Sequence, residues 1–130
     1  MQVFDDSSEY HVHHGDCIPH MLEAMPENSV DFAVFSPPFP SLYAYTASEA
    51  DVGNVDAMGP EASVHLGFMF AGLMRVLKPG RAAVVHVCQI PRMKRTGGVG
   101  LCDFRGTNIR IGERAGLVYE YDWKIGRAHV

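Results

Sequence analysis

Four consecutive residues, Ser36-Pro37-Pro38-Phe39, hold the densest chemical potential in this chain of 130 residues. Each proline fixes its own backbone angle and lacks an N–H, so the tetrapeptide is stiff and its carbonyls meet few local donors. A serine hydroxyl next to a free carbonyl can accept hydrogen bonds from an amine. The Phe39 ring offers a flat apolar face on which another ring can stack. The set suits gripping a planar group that bears an NH2. Pro-Pro is also ordinary punctuation at the end of a strand, so composition alone leaves a plain turn equally open.

Other residue groups weigh less. His11, His13, His14, Cys17 and His20 are types that ligate metals, and His13 and Cys17 stand four apart. The segment reads as a strand and turn, however, and no second ligand cluster lies nearby, which argues against a metal site. Asp16 precedes a helical pattern and suits an N-cap. His86 lies at the end of an apolar strand and reads as a satisfied core histidine more readily than as a pocket residue. Gly97-Gly98-Val99-Gly100 lacks the Lys-Ser/Thr ending of a phosphate loop. Arg92, Lys94 and Arg95 form a short basic run that reads as a solvated loop.

These residues need elements to position them. Tyr10 to His14 suits a short strand closed by Gly15-Asp16, and Ile18 to Met25 a short helix with Ile18, Met21, Leu22 and Met25 on one face. Pro26, Glu27 and Asn28 mark a turn. VDFAVF, residues 30–35, is a short apolar run that predicts a buried strand, and the two prolines force the chain out of the sheet after it. Residues 36–59 show no period and read as a long functional loop. A helix is predicted from Glu61 to Leu77, with Pro60 at its first position and Leu66, Phe70, Leu73 and Leu77 on one face. Lys78-Pro79-Gly80 stops it, and AAVVHV, residues 82–87, predicts a second buried strand. After a loop over 91–106, a helix from Thr107 to Ala115, capped by Thr107 and ended near Gly116, leads to a strand from Leu117 to Trp123.

Strands alternating with helices predict an α/β sheet with helical crossovers. Ligands of such sheets sit beyond the carboxyl ends of the strands. Gly15-Asp16 and Ser36-Pro37-Pro38-Phe39 both fall at such ends, so the two are expected side by side.

Composition sets the outer limits. Hydrophobic residues make up 47% and charged residues 20%, a globular balance with room for one small domain. A formal net charge of -4 argues against a free-standing electrostatic nucleic-acid binder. Three cysteines do not make a disulfide framework and suit a reducing, cytoplasmic setting. No apolar run approaches membrane-spanning length, so no membrane partner is expected.

Ser36-Pro37-Pro38-Phe39 resembles motif IV of the DNA amino-methyltransferases, the (Asp/Asn/Ser)-Pro-Pro-(Tyr/Phe/Trp) tetrapeptide of enzymes that methylate N4 of cytosine or N6 of adenine. The context is similar too: His14-Gly15-Asp16-Cys17, a short helix, Met25-Pro26-Glu27-Asn28-Ser29-Val30-Asp31, then the apolar strand. LMRVLKPG, residues 73–80, followed by AAVVHV resembles the helix and strand after that motif. The resemblance spans residues 14–123, with phage-borne and bacterial members most similar.

The resemblance implies a partial Rossmann-like methyltransferase sheet that uses S-adenosylmethionine on double-stranded DNA. The target base is flipped out of the duplex, since its amine is unreachable inside. Ser36 and the Pro37 carbonyl would accept the amine hydrogens, with Pro38 stiffening the loop and Phe39 stacking on the base. Serine at the first position favours cytosine N4, with adenine N6 open. Asp16 and Cys17 fall in the segment bordering the cofactor's adenine, where Asp16 could accept from the adenine amine as well as cap its helix. Tyr43 and Tyr45 either contact flipped or flanking bases or pack on the surface. A restriction endonuclease counterpart fits the family. The alternative is a non-catalytic nucleic-acid-binding or assembly module on the same fold.

Two features depart from the family pattern. No Phe-x-Gly-x-Gly-like segment is present to cradle the methionine part of the cofactor; in the permuted order that a near-N-terminal SPPF implies, it lies further on. Residues 1–123 therefore read as the N-terminal catalytic part of the domain, expected to be inactive alone. Residues 124–130 match a translated sequencing adapter and are expected to be a non-native tail.

Overall fold

A parallel strand pair cannot be closed by a tight turn and needs a crossover, usually a helix. That arrangement forms the centre of this protein, seen in a computed structural model that describes residues 2–3, 10–38, 60–91 and 100–122. In chain order the elements are β1 (Gln2–Val3), β2 (His13–His14) and α1 (Cys17–Pro19), which runs on into a π-helical turn over His20–Ala24. Then come β3 (Val30–Phe35), α2 (Pro60–Val76), β4 (Leu77–Val85), β5 (Ile90–Pro91), β6 (Leu101–Cys102) and α3 (Phe104–Arg114). β3 and β4 pair in parallel, while β1–β2 and β5–β6 are short antiparallel pairs. The class is mixed α/β.

α2 holds the core together. Leu66, Phe70, Leu73 and Leu77, the face predicted by their spacing, are all buried, with Met69 beside them. Ile90, Cys102, Phe104 and Ile111 close the cluster from β5, β6 and α3. Ala33, Phe35, Ala83 and Val85 pack against it from the sheet. Helix α2 also meets the π-helical turn closely. A Cβ at Gly72 would lie 2.9 Å from Met21 Cβ, so only glycine permits this approach. Arg75 Nη1 donates to the Met21 carbonyl at 2.7 Å and the Met25 carbonyl at 2.6 Å, satisfying the end of that turn.

The entry to β3 is tied to the same helix. Asn28, at φ 50°, turns the chain, and the N–H groups of Asn28 and Ser29 donate to the carbonyls of Arg75 and Val76. The predicted turn at Pro26-Glu27-Asn28 is therefore anchored on the last turn of α2.

Several expectations are corrected. The predicted helix over Ile18–Met25 is one short α-turn followed by π-geometry, and the predicted strand over Tyr10–His14 forms at His13–His14 alone. α2 ends at Val76; Leu77, in place on the apolar face, already belongs to β4, and Lys78-Pro79-Gly80 is a strand irregularity instead of a stop. Val30 pairs with Leu77 and Phe32 with Ala82, so Lys78 to Arg81 bulge out opposite Asp31. Pro79 cannot donate to a ladder, which accounts for the break. α3 begins earlier than Thr107: Asp103 is its N-cap and accepts from Gly106 N, while Thr107 Oγ1 donates back to the Asp103 carbonyl. Gly116, at φ 109°, ends the helix as expected, but residues 117–122 are irregular and not a strand. Tyr119 and Asp122 instead hold Arg105 of α3, with the Arg105 guanidinium also 5.8 Å from the Tyr119 ring. The predicted end of that strand, Trp123, and the tail over 124–130 lie outside the described residues.

β3 is also less enclosed than its composition suggests. Phe32 is 57% and Val34 68% exposed, so among the described residues one face of the β3–β4 pair is covered by α2 and the other is bare.

Candidate site at the carboxyl end of β3

The register of a parallel pair dictates which groups should bond where β3 ends. Phe35 stands opposite Val85, so Ser36 stands opposite His86. In that pattern the His86 N–H bonds the carbonyl before Ser36, and the N–H after Ser36 bonds the His86 carbonyl. The first bond is present: His86 N donates to Phe35 O at 2.8 Å. The second is impossible, because the residue after Ser36 is Pro37 and has no N–H. The Ser36 hydroxyl takes its place, donating to the His86 carbonyl at 3.0 Å. Ser36 thus extends the ladder by one bond with its side chain.

A serine hydroxyl has one hydrogen and two lone pairs. With the hydrogen directed to His86, Ser36 Oγ presents lone pairs to anything that approaches from solvent, and Ser36 is exposed. Pro37 is fully buried and pins the strand exit to the body of the protein, while Pro38 is half-buried. Among the described residues no donor reaches the Pro37 carbonyl. The end of β3 therefore offers a hydroxyl acceptor on a strand held by two prolines. Phe39, Tyr43 and Tyr45 lie outside the described residues, as do Arg92, Lys94 and Arg95.

The expected neighbourhood of Asp16 and Ser36 in one sheet is not formed. β2 pairs with β1 and not with β3, so Gly15-Asp16 follows a strand of a different sheet. Asp16 Oδ1 accepts from Ile18 N at 3.0 Å, which is the capping role. The carboxylate is exposed and keeps acceptor capacity for a further donor. Cys17 is exposed as a residue, yet packing around its sulfur and then the adjacent Asp16 carboxylate push the thiol above its ordinary value. It is a neutral thiol at pH 7 and a poor nucleophile.

The histidine-rich segment brings tilted rings together: His13 lies 4.8 Å from His20 and 6.5 Å from His11 between centroids. Among the described residues no group of three or more His, Cys, Asp or Glu side chains is placed to hold a metal ion. His86 is exposed and not the core histidine its apolar strand suggested. Its backbone is what contributes to the site. That role was not read from the sequence, although part of the signal was present: a proline directly after a serine at the end of an apolar strand.

Beyond the end of β4, Gln89 Nε2 donates to Asp103 Oδ1 at 2.6 Å, and its Oε1 accepts from Arg105 N at 3.0 Å. The Gln89 bond first, then the Gly106 N–H, holds the Asp103 carboxyl below its usual range. This network fixes the start of α3 relative to the strand exits. Sequence reasoning misses it too, because nothing in the local pattern pairs Gln89 with residues past 100.

No family model matches the chain, and no curated protein and no solved structure matches it either. No helix among the described residues is long and apolar enough to cross a membrane.

Proposed function

We propose that this chain carries the base-gripping half of a DNA amino-methyltransferase, transferring a methyl group from S-adenosylmethionine to the exocyclic amine of a flipped base, N4 of cytosine in preference to N6 of adenine. The observation that carries this reading is the Ser36 hydroxyl. It is exposed at the carboxyl end of a parallel strand, with its hydrogen already committed to the His86 carbonyl. The ordered resemblance from Gly15-Asp16 through Ser36-Pro37-Pro38-Phe39 to the helix and strand after it adds weight. So does the crossover β3–α2–β4, which is the repeating unit of a Rossmann-like sheet. Apolar strands of such sheets are covered by helices on both faces, and Phe32 and Val34, uncovered among the described residues, have the apolar character that a second helical layer would need.

The chemistry follows from what the residues can accept. The lone pair of an aromatic amine is delocalised into its ring, so the nitrogen is a weak nucleophile. Accepting its two hydrogens at Ser36 Oγ and the Pro37 carbonyl favours the geometry in which the lone pair is localised. A nitrogen that gains a carbon becomes cationic, and the same two acceptors stabilise that charge until a proton leaves. This is electrostatic help concentrated in the transition state. S-adenosylmethionine, when bound, supplies an electrophilic sulfonium methyl. Of the described residues Asp16 fits one part of it, as an exposed carboxylate able to accept from the adenine amine. No thiolate is required, in keeping with the raised Cys17.

The test uses the protein expressed from the gene that encodes this chain, tritiated S-adenosylmethionine and unmethylated DNA. Ser36→Ala is expected to lower methyl transfer roughly 100-fold or more, the size of effect seen when one transition-state hydrogen-bonding partner is lost. Donor binding, read by calorimetry, is expected to persist. Unchanged transfer in Ser36→Ala would remove the role given to this hydroxyl.

A further inference from the structure

We infer that Pro37 is a positioning residue that works through the hydrogen it lacks: by leaving the His86 carbonyl without a backbone donor, it draws the Ser36 hydroxyl hydrogen there and makes Ser36 an acceptor only. The ligand-polarity consequence rests on the proposed function; the hand-over of the bond does not.

Three facts converge on this. The register puts Ser36 opposite His86, with the preceding ladder bond, His86 N to Phe35 O, intact at 2.8 Å. The next donor in the ladder would be residue 37, and proline has none. The Ser36 hydroxyl sits 3.0 Å from the carbonyl so vacated. A residue with an N–H at position 37 would compete for that carbonyl, because a ladder N–H is already aligned by the strand. The Ser36 hydroxyl would then rotate freely and could donate as well as accept. It would greet a ring carbonyl as readily as a ring amine. Proline removes that ambiguity, so the site discriminates an amino base from its keto counterpart before any chemistry occurs. A site built to meet one hydrogen-bond polarity penalises the opposite one strongly, because a lone pair then faces a lone pair.

Two measurements test this. The first is a double-mutant cycle on the chain, read by denaturant unfolding. Ser36→Ala should shift the folded-to-unfolded ratio down about five-fold in the native background, the value of one ordinary hydrogen bond. In the Pro37→Ala background the same change should shift that ratio by less than about two-fold, because the new backbone N–H at position 37 takes over the His86 carbonyl. The amide at position 37 should also exchange slowly in the double variant. Equal effects of Ser36→Ala in both backgrounds would overturn the hand-over, and the cycle subtracts whatever packing Pro37→Ala costs by itself.

The second measurement titrates the chain with deoxycytidine and with deoxyuridine, following the Ser36 backbone amide by NMR. Deoxycytidine should bind about ten-fold more tightly than deoxyuridine, and the ratio should fall below about three-fold in Pro37→Ala. Equal affinities in the native protein, or no response to either nucleoside, would overturn the acceptor-only assignment. Methyl transfer that survives alongside such a result would leave the proposed function standing without it.

Discussion

The two ends of β3 are closed by opposite kinds of chemistry. At the amino end, Asp31 faces the bulge of β4 and binds Lys78 Nζ at 2.9 Å, with Arg81 Nε at 3.8 Å. All three side chains are exposed. At the carboxyl end a single neutral hydroxyl meets a backbone carbonyl. Both ends answer the same problem, a proline that interrupts the parallel ladder: Pro79 at one, Pro37 at the other. At the first, the bulge brings charges together that satisfy each other. At the second, the substitute donor commits its one hydrogen to the backbone and keeps its lone pairs for a partner. The first end is complete as structure, and the second has bonding capacity left over.

The contrast predicts unequal responses. Ser36→Ala should lower methyl transfer about 100-fold or more, while Asp31→Asn should leave it within about two-fold, both read as initial rates under identical conditions. Equal losses would mean that the two ends matter only through the stability of the strand. Next in size are the supports that β3 shares with α2. Arg75→Met strips both the Met21 and Met25 carbonyls of their charged donor and should cost about 2–3 kcal/mol in chemical denaturation. Gly72→Ala gains helix propensity but drives its methyl into Met21, and should still cost about 1–2 kcal/mol. A neutral or stabilising Gly72→Ala would show that the π-helical turn can give way.

The smallest effect belongs to Asp31. Its hydrogen bond to Lys78, then the Lys78 charge, holds its carboxyl below the usual range, with Arg81 a lesser contributor. A lowered pKa in the folded state means that stability is present above the ordinary carboxylate pKa and lost as pH falls through the lowered one. Asp31→Asn should therefore weaken the fold slightly at pH 7 and make no difference in strong acid. The loss should shrink in 1 M salt, since exposed pairs are screened. No comparable pH dependence should attach to Ser36. Acid sensitivity surviving Asp31→Asn would point to Asp103 and Asp122, whose carboxyls are also held low, first by Gln89 and by Tyr119 respectively.

The helical half of the fold was legible because its signal is periodic. Leu66, Phe70, Leu73 and Leu77 recur with the helical period and are buried together, and VDFAVF marked β3. Of AAVVHV only Ala82 to Val85 lie in β4, which begins earlier, at Leu77, and those four residues are exposed or half-buried where a buried strand was expected. What sequence could not show was the pairing that depends on distant partners. Leu77 satisfies the helical face and yet begins β4, because its backbone is claimed by Val30. Asp103 displaced Thr107 as the cap of α3 with the help of Gln89, which no local pattern connects to it. Leu117 to Trp123 is rich in strand-favouring residues, but over 117–122 that preference went unmet where no neighbouring strand stands among the described residues. At the site, Ser36 and Pro37 were visible as residues able to bind an amine. Their geometry was not, since it depends on His86 being the opposite partner in register.

The most direct test of the Ser36 assignment is mass spectrometry of nucleosides digested from the DNA of cells expressing the gene that encodes this chain, native or carrying Ser36→Ala. The native sample should contain 4-methylcytosine, or failing that 6-methyladenine, and the variant should lack it. Neither modified nucleoside in the native sample, or equal amounts in both, would contradict the assignment.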